Sequence, residues 1–178
     1  WTVVCIYLSV IGWAYTLGSA VALTNDAAFR ALLARSVFKW RVSGIAEPFY
    51  VLCGYGQSGA RLARALDRLG NRLVIVEPDA VRAARTTIQD FATTPLMLVS
   101  DARLADVLED CGIHSPHCLG LIALAGDDAV NQAIAIGARV LSPNLQIVAR
   151  AKSDVARINL ESFGGVQVSR TFYARGQT

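Results

Sequence analysis

Hydrophobic positions in this chain fall into two regimes. From Trp1 to Asn25 they are nearly continuous, with no Asp, Glu, Lys, Arg or His before Asp26. An uncharged, mostly apolar run of this length predicts a membrane-crossing helix. Residues 1–24 would reach about 36 Å at ~1.5 Å per residue. Beyond Gly44 the pattern changes to short apolar runs alternating with segments of helical spacing. Phe49–Cys53, Leu73–Val76, Leu96–Val99, Cys118–Leu124, Gln146–Ala149 and Val166–Val168 predict six strands. Between them Gly59–Leu69, Asp79–Phe91, Arg103–Cys111, Asp127–Leu141 and Asp154–Phe163 predict helices, punctuated by Gly70, Gly112 and Pro143. Strands that are apolar throughout and separated by helices form a parallel sheet covered on both faces. Right-handed crossovers then make it a doubly wound, Rossmann-like α/β fold.

Residues 25–48 connect the two regimes. Phe29, Leu32, Leu33 and Val37 recur at helical spacing, and Gly44 and Pro48 mark an end. The reading is therefore a membrane helix over 1–24, a helical linker over 25–48 and a domain over 49–178. Arg30, Arg35, Lys39 and Arg41 follow the apolar run against Asp26 alone until Glu47. That basic excess predicts a cytoplasmic location for 25–178. Ala14, Gly18 and Ala22 repeat every four residues, which permits close approach of a second helix. Gly12 and Gly18 are where this helix would bend most easily. No basic start and no initial Met are present, so a signal peptide is not indicated and Trp1 is expected to be internal to a longer chain.

Apolar residues make up 53% of the chain and charged residues 17%, with mean hydropathy +0.40. Disorder is excluded by that apolar content. A net charge of +3 with no basic cluster gives no footprint for nucleic acid.

Gly54-Tyr55-Gly56-Gln57-Ser58-Gly59 fits GxGxxG directly after one predicted strand and at the start of a helix. Gly54 permits a tight turn, Gly56 lets backbone approach a pyrophosphate, and Gly59 lets helix pack on sheet. The helix N-terminus offers free N–H groups to phosphate. Glu77 ends the next strand, roughly 20 residues beyond the turn, where an acid can accept from ribose hydroxyls and oppose a 2′-phosphate. The ligand expected is NAD(H) or an adenine nucleotide such as ATP or ADP. The same turn also occurs in folds that bind nothing.

Cys111, His114, His117 and Cys118 are dense enough in sequence for zinc, but a cysteine at a helix end and one starting a buried strand are more ordinarily small buried residues. No metal site is expected. One of Asp127 and Asp128 should cap the helix that follows. No catalytic constellation is evident, and a dehydrogenase would need a substrate domain, so no enzyme activity is expected.

Residues 50–169 resemble the regulator of K+ conductance family (RCK, or TrkA-N). The resemblance is carried by YVLCGYGQSGARLARAL, LVIVEPD, SDARLADVLEDCGI, LIALAGDDAVNQAIAIGARVLSPNLQIVARA and ESFGGVQVS. IYLSVIGWAYTLGSAVAL is similar to the pore-lining inner helix of two-span prokaryotic potassium channels. The resemblance implies a ligand-gated potassium channel in the cell membrane, with a tetrameric pore above a cytosolic ring of RCK domains. It implies nucleotide contacts from Gly54, Tyr55, Gly56, Gln57, Ser58, Gly59 and Glu77, from Asp101 near the adenine, and from Arg150 near the phosphates. Gln57 stands where the family often has Arg. Two other readings stay open: the regulatory domain of a cation–proton antiporter, and a soluble NAD-dependent oxidoreductase.

Overall fold

The computed structural model describes residues 1–25, 27–84, 91–164 and 166–169. The chain divides into two compact units, Trp1–Val37 and Phe38–Thr178. In the first, α1 is one helix from Thr2 to Asn25. Its large apolar side chains, among them Val3, Ile6, Trp13 and Leu17, are exposed. Described side chains in α1 end at Gly18. Among the described residues no helix is long and apolar enough to cross a membrane. For residues 1–24 the structure thus supplies the helix and not the membrane span expected of it.

A second helix, α2, covers Ala27–Ser43. Helical spacing alone points to Leu32, Leu33 and Val37 as its apolar face, yet these are 65%, 50% and 48% exposed. The covered positions are Phe38 and Val42, which with Ile45 join the main core beside Phe49, Val51 and Cys111. Lys39 pairs with the buried Asp110 at 3.2 Å. Periodicity defines stripes on a helix, and tertiary packing decides which stripe is covered.

The second unit holds a six-stranded sheet: β1 (Phe49–Cys53), β2 (Arg72–Val76), β3 (Leu96–Leu98), β4 (Cys118–Ala123), β5 (Ile147–Arg150) and β6 (Val166–Ser169). Every strand pair is parallel, in the order β3-β2-β1-β4-β5-β6. Helices α3 (Gln57–Arg68), α4 (Ala80–Ala84), α5 (Ala105–Asp110), α6 (Asp128–Leu141) and α7 (Asp154–Ser162) connect them. All six expected strands and five expected helices are present. The expected helix 79–91 is described only as α4, because 85–90 lie outside the described residues. Asp79 caps it, its Oδ1 accepting from the N–H groups of Val81 and Arg82 at 2.9 and 3.2 Å.

Side chains alternate between the two faces of the sheet. Val51, Cys53, Val74 and Val76 pack with α5, α6 and α7 on one face. Leu52, Leu73 and Ile75 pack with Ala63 of α3 on the other. Burial on both faces explains why these strands read as continuous apolar runs.

Gly112 joins α5 to the linker. Its φ is +74°, and a Cβ there would lie 2.8 Å from Val42 Cγ1. Gly112→Ala is expected to destabilise the domain by about 1–3 kcal/mol. An unchanged urea midpoint would contradict this packing.

Candidate functional site

The chain crosses from β3 at one edge of the sheet back to β4 beside β1. In doubly wound sheets ligands bind at the carboxyl ends of the strands flanking such a reversal. Here the turn after β1 meets the loop after β4. Gly54 has φ +102°, and a Cβ on it would come within 2.9 Å of the Leu124 and Ala125 backbone. A Cβ on Gly59 would overlap the Gly54 carbonyl oxygen. Gly56 is the reverse case, since a Cβ there meets nothing within 4 Å. Two glycines thus let backbone touch backbone, and the third leaves open space at the start of α3. The first-turn N–H groups of α3 have no intrahelical acceptors.

Two adjoining hollows open on this edge. One of about 330 Å³ is lined by Val76, Glu77, Asp101, Ala102 and Val130, among others. The other, about 310 Å³, is lined by Gly56, Gln57, Ser58, Arg150 and Lys152. Gly54, Glu77, Arg82, Ala125 and Gly126 border both. The first has apolar walls suited to a flat base, and the second collects polar and cationic groups suited to phosphate.

Arg150 ends β5 and is 8% exposed. Its Nη2 donates to the Ala125 carbonyl at 2.6 Å, and its Nη1 lies 3.4 Å from Ser58 Oγ. Its Nε is buried without a hydrogen bond. A buried guanidinium with one donor unused and no ion pair among the described residues is electrostatically incomplete, and an anion in the second hollow would complete it. Lys152 donates from Nζ to the Gly126 carbonyl.

Glu77 is 2% exposed. Its Oε2 accepts from the Tyr55 N–H at 2.6 Å and its Oε1 from the Asp79 N–H at 3.1 Å. Arg82 Nε lies 3.6 Å from the same Oε1. Expected as a ribose acceptor, Glu77 also pins the glycine turn to the end of β2. Tyr55 itself sends only its backbone to the site. Its side chain is buried among Leu52, Ala63 and Ile75 on the α3 face, and burial pushes its hydroxyl pKa up. Gly59 shapes the turn without lining either hollow. Gly54, Gly56, Gln57, Ser58, Glu77, Asp101 and Arg150 all line the cleft.

Arg82, Lys152 and Asn131 are contributors that the sequence reading did not single out. Arg82 donates to Asp79 Oδ2 at 2.8 Å and holds the Asp79 carboxyl below the usual range. Asn131 is fully buried in α6. Its Oδ1 accepts from the Ala125 N–H at 2.7 Å, and its Nδ2 donates to the carbonyls of Ala125 and Arg150 at 3.2 and 2.9 Å. It therefore clamps the β4 loop to the end of β5. An Asn at the fourth position of a helix, after a capping Asp, is a weak signal in sequence alone.

Asp127 is the N-cap of α6, accepting from the Ala129 N–H at 2.8 Å. Asp128 instead accepts from the N–H groups of Lys152 and Ser153 at 3.0 and 2.9 Å. Burial pushes the Asp128 pKa up, but these donors prevail and it lies below the ordinary value. No group of three or more His, Cys, Asp or Glu among the described residues could hold a metal ion. Cys111 is buried, and burial pushes the Cys118 thiol up to about 11.

The strand order and the glycine turn at its reversal place the domain in the class of Rossmann-like nucleotide-binding folds. The chain belongs to the TrkA-N domain family, which matches residues 50–170. Over 150 residues it is 27% identical to Potassium channel protein 1 of Methanocaldococcus jannaschii, covering 84% of this chain and 44% of that one. The chain thus spans less than half the length of that relative. The TrkA-N domain of inner membrane protein ybaL from Escherichia coli matches at TM-score 0.61 and 21% identity, covering 69% of this chain and 87% of that one. The GsuK channel bound to NAD matches at TM-score 0.59 and 20% identity, covering 70% and 22%. At these identities the structural likeness establishes the fold.

Two measurements test this geometry. Asn131→Ala strands the Ala125 N–H and is expected to cost about 1–3 kcal/mol; a smaller loss in chemical denaturation would show the clamp to be dispensable. The second concerns pH. Arg103 hydrogen-bonds Asp101 and lowers its pKa from 3.8. A lowered folded value stabilises above the unfolded value and is lost as pH falls through the folded one. Wild type should therefore exceed Arg103→Gln in stability at neutral pH, and the gap should close below pH 3.8. A gap that persists under strong acid would assign it to another cause.

Proposed function

We propose that this domain is a regulatory receptor for NAD(H) or an adenine nucleotide, coupled to the gate of a potassium channel in the cell membrane. The observation that carries the binding half is the cleft at the β1–β4 reversal. There the open Gly56 and the first turn of α3 face the incompletely compensated Arg150. Pyrophosphate or phosphate would lie between them, with ribose toward Glu77 and Asp101 and adenine against Val76, Ala102 and Val130. NAD bound to the GsuK channel, which shares the fold, supports the same ligand class here.

The chemistry of the lining favours a sensor over an enzyme. Among the described residues no His or Cys lines either hollow, and Ser58 Oγ has Arg150 beside it, not a base.

The channel half is supported by the likeness to Potassium channel protein 1 over 84% of this chain. That alignment extends beyond the 121 residues of the family match. Residues 1–24 carry no Asp, Glu, Lys or Arg, and basic residues dominate the stretch that follows. In this reading α1 is the inner pore helix in the bilayer, α2 the linker, and residues 25–178 are cytoplasmic. Subunits assemble as a tetrameric pore over a ring of these domains, and potassium is the ion conducted. Nucleotide moves the gate only by preferring one state of the ring. A tenfold preference per site is worth about 1.4 kcal/mol, and several sites add.

The test is Gly56→Asp in the whole chain. The open space at Gly56 accommodates the side chain, so the fold and its melting temperature should be kept, while a carboxylate occupies the phosphate position. NADH affinity measured by calorimetry should fall at least tenfold, about 1.4 kcal/mol. Undiminished affinity in a folded variant would refute the site.

A further inference from the structure

At the end of the sheet opposite the glycine turn lies a separate cavity of about 420 Å³. Its walls are the end of α2 with the loop after it, and the starts of β2 and β3. Ile45 and Leu73 are buried in it and Leu96 half-buried, while Trp40 and Arg41 are exposed at its mouth. The volume falls in the range of small-molecule sites. None of its lining residues borders the nucleotide cleft.

Charge sets its character. Arg41 and Arg72 line it, and no Asp or Glu does. Arg72 is paired through Nε with Glu47 at 3.4 Å, and that carboxylate is 71% exposed. Arg41 has no ion pair among the described residues. Two arginines with unspent N–H donors thus line one largely apolar hollow. Guanidinium matches carboxylate and phosphate oxygens bidentately. The Trp40 indole offers a face on which a flat apolar body can stack.

We propose that this cavity binds an organic anion, a carboxylate or phosphate monoester carried on a flat apolar body. Such a ligand would tie the last turn of α2 to the start of β2. The far end of that strand delivers Val76 and Glu77 to the nucleotide cleft. The site does not depend on the nucleotide reading, because it shares no residue with it.

The experiment uses the whole chain with Trp1→Phe and Trp13→Phe, which leaves Trp40 as its sole indole. The probes are 1-naphthylacetate and 1-naphthyl phosphate, followed by Trp40 emission and by calorimetry. At least one probe should bind saturably, one per chain, and quench Trp40. The Arg41→Gln/Arg72→Gln variant should bind about tenfold more weakly or worse, as expected for lost charge-assisted hydrogen bonds. Both arginines are at the surface, so this variant should keep its melting temperature. Gly56→Asp should leave probe affinity within about twofold, which separates this site from the nucleotide cleft. No saturable binding of either probe, or equal affinity in the double-arginine variant, would overturn the proposal.

Discussion

A bare contact between two backbones holds the cleft in shape. Gly59 sits so close to Gly54 that any side chain at 59 would overlap the carbonyl of 54. This sets the first turn of α3 directly over the end of β1. Gly54, at φ +102°, is pressed in turn against Leu124 and Ala125, where β4 ends. Leu124 N–H donates to the Cys53 carbonyl at 2.8 Å, and Gly54 N–H to the Val76 carbonyl at the same distance. The ends of β1, β2 and β4 are thereby fixed by main-chain bonds. Because backbone sets this geometry, an uncharged Gln57 in the turn leaves the cleft's shape intact.

Charge is arranged on that frame in two different ways. Near Glu77, Asp79 is joined to Arg82 at 2.8 Å and Asp101 to Arg103 at 2.5 Å, so acids and bases there largely satisfy one another. These pairs are exposed and individually weak. They shape the rim more than they stabilise the fold. At the other end, beside Gly56, Arg150 is buried, bonded to a carbonyl and a hydroxyl, with Nε unsatisfied. Burying a guanidinium without a counter-charge is costly, and the cost is lowest when an anion is present. The asymmetry between the two ends favours a ligand whose charge is concentrated on one side, as in a nucleotide.

Much of this was legible in the chain. Buried parallel strands must be apolar on both faces, so Val51–Cys53 and Leu73–Val76 announced themselves. GxGxxG was readable because Gly54 and Gly59 answer backbone requirements that no other residue meets, while Gly56 leaves open space at the start of α3. What escaped reading depended on contacts distant in sequence. Asn131 matters through Ala125 and Arg150, and nothing local marks it. Glu77 stands where an acid was expected, but its bond to the Tyr55 N–H appears only once β2 lies beside β1. Tyr55 occupies a variable position of the motif, and its burial follows from the twist of the turn into the α3 face. On α2, two apolar stripes competed, and only the docking of Phe38 and Val42 decided between them.

That docking changes what a linker means in this chain. Phe38 and Val42 belong to the same apolar cluster as Val51 and Val76, and Lys39 adds a pair with the buried Asp110. The last turns of α2 are therefore packed into the domain's core. Asp110 closes α5, a helix of only six residues, whose approach from Asp101 and Ala102 borders the nucleotide cleft. α5 therefore touches the end of α2 through Asp110 and follows a segment, Asp101 and Ala102, that lines the cleft.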